Sequence, residues 1–191
     1  MLRIIRSADY TTRPWKNGGG TTRDIVVSPP GASLDDFDWR LSLAHVEQDG
    51  PFSRFENVDR TLVLLDGAMT LHDRNDCIEL VRNEPAIFAG EREIEATLAG
   101  GSTLDFNVMT RRGRKRHVVR CQRFSERTSI EAPTGRTIAL FVLEGTLIVD
   151  REQFGVHDTA IIVSQRAVVA AASGASTALV IEIDDIHPNV L

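Results

Sequence analysis

The densest chemistry in this chain lies near its start, in Arg13-Pro14-Trp15-Lys16-Asn17-Gly18-Gly19-Gly20-Thr21-Thr22-Arg23-Asp24. Trp15 offers a stacking face, Lys16 a cation, Asn17 an amide and Arg23 a fork that fits a carboxylate. Three consecutive glycines permit positive φ and let a ligand or another backbone come close, and successive N–H groups can form an anion-binding nest. The block is not a phosphate-binding P-loop, because no G-x-x-x-x-G-K-[ST] follows a strand and opens a helix. The residues leave two readings open. The block is a ligand loop, or it packs Trp15 on a barrel and turns on its glycines.

Two further clusters stand out. One is Asp49-Gly50-Pro51-Phe52-Ser53, a turn, followed by Asp59-Arg60. The other is Asp105-Phe106-Asn107-Val108-Met109-Thr110-Arg111-Arg112-Gly113, in which Asp105 and Asn107 share one strand face. That face is either a solvent-facing polar stripe or part of a site.

The elements that must hold these residues are strands. Phe37, Trp39, Leu41 and Leu43 alternate with Asp38, Arg40, Ser42 and Ala44, and Leu104, Phe106 and Val108 alternate in the same way. Apolar runs at 61–65, 138–143, 160–163 and 177–183 are short, rich in β-branched residues and bounded by Gly, Asp or Ser, so they read as buried strands. Only 33–37 and 168–173 suggest short turns of helix. Many short strands separated by turn signals predict an all-β sandwich or barrel.

The chain also echoes itself. The stretch Leu62-Val63-Leu64-Leu65-Asp66-Gly67-Ala68-Met69-Thr70-Leu71-His72 resembles Leu140-Phe141-Val142-Leu143-Glu144-Gly145-Thr146-Leu147-Ile148-Val149-Asp150. Each reads as a hairpin turning on Gly67 or Gly145. Pro85-Ala86-Ile87-Phe88 and Thr159-Ala160-Ile161-Ile162 follow in matching places. The repeat predicts two similar β units, 1–113 carrying the polar motifs and 114–191 playing a structural part. Between them Arg111-Arg112-Gly113-Arg114-Lys115-Arg116-His117 reads as a solvated connector.

Composition narrows the function. The net charge is −5, and the basic cluster lacks interleaved aromatics, so no nucleic-acid partner is expected. Of the 22 basic residues only Lys16 and Lys115 are lysine, which codon usage explains and which leaves arginine as the cation for most sites. Cys77 and Cys121 form no C-x-x-C, which fits a reducing compartment. The N-terminal apolar stretch is too short and charged for a signal peptide, and no run approaches the roughly 20 residues a membrane span needs. A cytoplasmic protein with no membrane partner is expected.

Taken in order, Trp15-Lys16-Asn17-Gly18-Gly19-Gly20-Thr21-Thr22-Arg23, Trp39-Arg40-Leu41-Ser42, Asp49-Gly50-Pro51-Phe52-Ser53, Asp59-Arg60 and Asp105-Phe106-Asn107-Val108-Met109 resemble the HutD/Ves family of bacterial cupin-like proteins. The Trp-Lys-Asn-Gly-Gly-Gly block discriminates, and the resemblance runs over essentially the whole chain. It implies a double-stranded β-helix with two cupin-like halves, and a link to histidine utilisation or stress-induced expression without an attached enzymatic activity.

Enzymatic cupins hold metal with a His-x-His pair, a Glu and a further His. Here His45, His72, His117, His157 and His187 form no such pair, and Glu93 stands where the last histidine is expected. No metal and no other cofactor is therefore expected. The leading expectation is a non-enzymatic binder of a small anionic metabolite, perceived through Trp15 as an apolar wall, Asn17 and Asn107 as hydrogen-bonding groups, and Lys16, Arg23, Arg40 and Arg60 as carboxylate partners. The alternative is a metal-independent isomerase or lyase acting on a small acid, with His45 as its base. A third reading is an interaction module forming a homodimer through its outer sheet.

Overall fold

The computed structural model describes residues 1–74 and 76–186; His187 lies outside them. The chain runs β1 (Leu2–Ile5), a 3-10 turn (Ser7–Asp9), β2 (Thr11–Pro14), β3 (Gly20–Ser28), β4 (Trp39–Val46), β5 (Gly50–Pro51) and β6 (Val58–Asp66). It continues through β7 (Met69–Asp73), β8 (Asp76–Glu79), β9 (Pro85–Ala89), β10 (Glu95–Leu98), β11 (Thr103–Arg111) and β12 (Lys115–Phe124). It ends with β13 (Thr128–Glu144), β14 (Leu147–Val149), β15 (Glu152–Phe154), β16 (Thr159–Ala171) and β17 (Ser176–Asp185). No α-helix occurs among the described residues. The stretch 33–37 forms a turn that places Phe37 in full burial, and 168–171 continues β16, so neither suggested helix exists. At 168–171 alternation won over helical spacing because Val169 must point into the core while Val168 stays outside.

The strands fall into two compact units, Thr11–Lys115 and Met1–Tyr10 with Arg116–Leu191. The expected division at 113/114 therefore misassigned the first ten residues. The reason is pairing: β1 lies antiparallel to β16, with Ile4 opposite Ala160, and the Tyr10 hydroxyl donates to the His157 carbonyl oxygen at 2.6 Å.

In the Thr11–Lys115 unit a six-stranded sheet, β2-β3-β4-β11-β6-β9, faces a four-stranded sheet, β5-β10-β7-β8. Ala44, Val46, Leu62, Leu64 and Phe88 from the first pack against Met69, Leu71 and Ala96 from the second. In the other unit one seven-stranded sheet is built around β13 and β16, whose register slips between Ala132 and Thr137. Leu140, Val142, Leu147, Val149, Ile162 and Val180 fill its core. The architecture is all-β, a double-stranded β-helix.

The two stretches that echo each other do not form hairpins. β6 pairs with β11 and β9, whereas β7 pairs with β10 and β8. β13 pairs with β16 and β17, and β14 with β16 and β15. Gly67 and Gly145 therefore sit at corners where the chain leaves one run of pairing for another. Their φ values are 82° and 76°. A Cβ on Gly67 would stand 2.8 Å from the Ser102 carbonyl oxygen, and one on Gly145 would stand 2.6 Å from the Ser176 hydroxyl. Both corners thus abut the start of the strand that pairs with their own, β11 or β17.

Candidate functional site

Pleating decides which side chains meet. On β4, Arg40, Ser42 and Ala44 face the interior of the Thr11–Lys115 unit and line a cavity of about 590 Å³. On β11 the same side carries Asp105, Asn107 and Met109. The opposite faces carry Leu41, Leu43, Phe106 and Val108, all fully buried. The Asp105–Asn107 stripe is therefore cavity lining and not a solvent-facing surface. Thr22 and Asp24 of β3 and Arg60 of β6 complete the polar floor, with Trp15, Phe52 and Phe55 as aromatic walls.

At the centre lies Arg60, only 6% exposed. Its Nη2 donates to Asn107 Oδ1 at 2.9 Å, and Asn107 Nδ2 donates to Asp105 Oδ1 at 2.7 Å. Its Nη1 donates to the Ser53 carbonyl oxygen at 3.2 Å. The guanidinium carbon sits 5.5, 5.5 and 5.0 Å from the ring centres of Phe52, Phe55 and Phe88. Each such contact is worth about 0.5–2 kcal/mol, the more so where water is excluded. They offset part of the cost of burying the charge. Burial still pulls Arg60 down to about 10; the Asp105 charge opposes that and the Arg40 charge adds to it.

Asp105 is fully buried, and burial pushes its carboxyl up to about 7 against the pull of Arg60 and the Asn107 hydrogen bond. Among the described residues, Arg60 Nε, Asp105 Oδ2 and Thr103 Oγ1 are the buried side-chain polar atoms without a hydrogen-bond partner. Two of the three belong to this one cluster. A buried polar group left unpaired costs about 1–3 kcal/mol, so their concentration at a cavity points to function.

Arg40 is held differently. Its Nε donates to Asp24 Oδ1 at 2.8 Å and its Nη2 reaches the same oxygen, while Arg13 Nε pairs with Asp24 Oδ2 at 3.0 Å. Its Nη1 lies 3.8 Å from Met109 Sδ. Arg40 is thus partly neutralised, whereas Arg60 touches only neutral acceptors.

The glycine block forms the rim. β2 and β3 pair with Pro14 opposite Thr21, and the loop between them is closed by Trp15 N–H to the Gly20 carbonyl oxygen at 2.9 Å. Trp15 Nε1 donates to Thr22 Oγ1 at 2.8 Å, which fixes the indole at the cavity wall. Asn17 Oδ1 accepts from Gly19 N–H at 3.1 Å, an Asx turn that holds the loop. A Cβ on Gly20 would run into the His45 carbonyl oxygen of β4. The last glycine therefore serves close backbone packing, and Lys16 is left exposed at the mouth.

Six of the seven expected residues converge: Trp15, Lys16, Asn17, Arg40, Arg60 and Asn107. Arg23 does not, because it stands between Thr22 and Asp24 on β3 and alternation turns it to the opposite face. His45 also points away from the cavity, and its Nδ1 lies 3.0 Å from Glu47 Oε1 at the surface. Asp24, Asp105, Phe52 and Phe55 were not among the expected ligand residues. The shared strand face of Asp105 and Asn107 was the signal that could have found Asp105.

A family model described as HutD matches residues 7–180. The chain belongs to the HutD family. A Pseudomonas putida relative, "Uncharacterized 21.2 kDa protein in hutC 3'region", is 39% identical over 111 residues, 57% of this chain and 58% of that protein. Protein Ves of Cronobacter sakazakii is 42% identical over 109 residues, 56% of this chain and 59% of Ves. The chain thus matches less than two thirds of the length of these curated relatives. The solved structure of HutD from Pseudomonas fluorescens SBW25 covers 98% of this chain and all of its own, with a TM-score of 0.85 and 26% identity. A conserved protein of unknown function from Pseudomonas aeruginosa PAO1 gives 0.86 at 29% identity, covering 96% of this chain and 99% of its own. The bacterial pirin YhhW of Escherichia coli, solved with nickel(II), shares the fold alone, with a TM-score of 0.71 at 11% identity over 97% of this chain and all of its own. That likeness identifies the double-stranded β-helix as cupin-like.

Elsewhere in this HutD-family chain several charged groups are held in ion pairs. Glu93, at the position of an expected cupin ligand, accepts from Arg54 Nη1 at 3.1 Å and from Arg74 Nε at 2.8 Å. Among the described residues no group of three His, Cys, Asp or Glu is placed to hold a metal ion. The basic segment 111–117 joins the two compact units as a mostly exposed connector, and its arginines also make ion pairs and hydrogen bonds. Arg111 donates to the carbonyl oxygens of Phe37 and Asp35, Arg112 pairs with Asp59 and Glu91, and Arg114 with Asp38. It is a tight turn between β11 and β12 whose side chains are spent on neighbouring loops.

Proposed function

We propose that this HutD-family protein binds a small carboxylate metabolite in the cavity above Arg60, without chemical turnover, and so modulates histidine utilisation in the cytoplasm. The observation that carries the reading is the buried Arg60 guanidinium, gripped by three phenyl rings, hydrogen-bonded to neutral oxygens and keeping one buried N–H unpaired. A carboxylate would supply the missing acceptor and a counter-charge, which is the arrangement that makes a buried cation favourable. Lys16, Arg13 and Arg40 at the same cavity add positive potential that draws anions inward. The family assignment and the relative from a hutC region point to histidine breakdown as the source of the ligand.

Isothermal titration against histidine-pathway acids, formylated glutamate and urocanate among them, tests this. Saturable heat is expected from at least one acid, and Arg60→Met should weaken that binding by roughly 10–100-fold. Flat traces for all of them, with folded protein, overturn the assignment.

Asp105 favours a second reading, a metal-independent isomerase or lyase. A buried carboxyl that titrates near neutrality at a cavity is suited to move a proton. NMR of each bound acid over hours separates the two: a new product signal that disappears in Asp105→Asn favours catalysis.

A further inference from the structure

We infer that Asp105 and the ligand's carboxylate compete for Arg60, so that the cavity takes up a proton at Asp105 whenever it takes up an anion. The inference rests on the ligand reading above and adds its proton coupling. Its ground is the geometry of one chain of contacts. Arg60 reaches Asp105 through the Asn107 side chain, by hydrogen bonds of 2.9 and 2.7 Å. Asp105 has no cation in direct contact, and its Oδ2 receives no hydrogen bond. One guanidinium therefore serves as counter-charge for everything negative at this end of the cavity.

The surroundings offer Asp105 nothing else. Across β11 its neighbours in register are Ala44 on β4 and Leu64 on β6, both apolar. The charged groups facing it are Arg60 from β6 and, farther along the cavity, Arg40 from β4. Arg40 is already committed to Asp24 on β3, which Arg13 from β2 also binds. Lys16 stands at the mouth. No histidine is among the residues lining the cavity. An anion seated on Arg60 adds a negative charge beside two buried groups, Arg60 and Asp105, where screening is weaker than in open water. At low dielectric, like charges a few ångströms apart are not both tolerated. The group able to yield is Asp105, whose carboxyl already sits at about 7 and is driven higher by the arriving charge.

The sign follows. The protonated form of Asp105 leaves Arg60 free for the ligand, so affinity rises as pH falls. With one linked proton the limit is roughly a tenfold change in Kd per pH unit. A carboxyl that titrates near 7 is about half protonated at pH 7, so uptake there is about half a proton per anion.

The test is titration calorimetry of the full chain with N-formyl-L-glutamate, whose carboxylates stay ionised across the range, at pH 6, 7 and 8. Running each pH in two buffers of different ionisation enthalpy counts the protons taken up. We expect uptake of a fraction of a proton at pH 7, a Kd that weakens at least fivefold from pH 6 to pH 8, and loss of both effects in Asp105→Asn. A carbon-13 titration of the Asp105 carboxyl in the wild-type protein, with and without the anion, gives the same answer should that variant not fold. Its midpoint should move up on binding. Binding with no proton uptake, a midpoint that stays put, or uptake that persists in Asp105→Asn overturns the coupling while leaving the ligand reading intact. Absence of heat at every pH from folded protein overturns the ligand reading and the coupling with it.

Discussion

Arg60 combines packing with hydrogen bonding between strands at the cavity floor. Its guanidinium is packed by Phe52, Phe55 and Phe88, and its hydrogen bonds tie β6 to β11. Arg60→Met keeps much of the packing and removes the charge. Loss of a charge-assisted hydrogen bond of about 1.5–3 kcal/mol should weaken a carboxylate ligand by roughly 10–100-fold, read by calorimetry. Arg23→Ala, on the other face of β3, should leave the same affinity unchanged.

Asp105 sets a pH signature for the fold as well. Its carboxyl ionises near 4 when unfolded and at about 7 when folded, so the native state holds the extra proton between those values. Stability therefore falls as pH rises through that window, by at most about 4 kcal/mol. Glu91, held down to about 2 chiefly by Arg112, and Asp184, lowered chiefly by Arg136, act oppositely. Their contribution is lost as pH drops below about 4. Thermal unfolding should show maximal stability between about pH 4 and 5, and Asp105→Asn should flatten the decline toward pH 8.

At the scale of elements, the glycine block illustrates two kinds of constraint in three residues. Gly20 leaves no room for a side chain, since its Cβ would overlap the His45 carbonyl of the neighbouring strand. Backbone is the atom in the way, so relief requires β3 to move away from β4. Gly20→Ala should cost about 3 kcal/mol or more, the upper end of what overpacking produces, because backbone must move. Gly19 faces only the Asn17 side chain at 3.4 Å, and Gly19→Ala should cost about 1 kcal/mol or less. Urea midpoints of the two variants check the contrast. The strands themselves were legible from alternation: 61–65, 138–143, 160–163 and 177–183 all lie within β6, β13, β16 or β17. Their pairing was not, because a strand's sequence states which face is apolar but not which edge it meets. That is why Gly67 and Gly145 read as hairpins and are corners.

At the scale of the molecule, the N-terminal segment belongs with the C-terminal unit. Leu2 and Ile4 pack on its core, Met1 N–H donates to the Val163 carbonyl oxygen at 2.6 Å, and Arg6 pairs with Asp158 at 3.0 Å. Removing residues 1–9 exposes the edge of β16 and strips these contacts, so the midpoint of thermal unfolding should fall by about 5 °C or more. Restoring the missing segment as a peptide in trans should recover part of the loss. Sequence proximity argued the opposite assignment, and only long-range pairing could overrule it.

By itself the sequence determined most of the strand content, the family, and six of the groups that line the cavity, Trp15, Lys16, Asn17, Arg40, Arg60 and Asn107. These follow from local periodicity and from residue types whose chemistry needs no neighbours to be recognised. The tertiary structure decided what depends on contact. It turned Arg23 and His45 away from the cavity, spent the basic turn at 111–114 on ion pairs, and brought Asp105 beneath Arg60. The physical reason is that burial and electrostatic coupling act across strands. A carboxylate reads as solvent-facing or proton-holding only once the strands around it are in register.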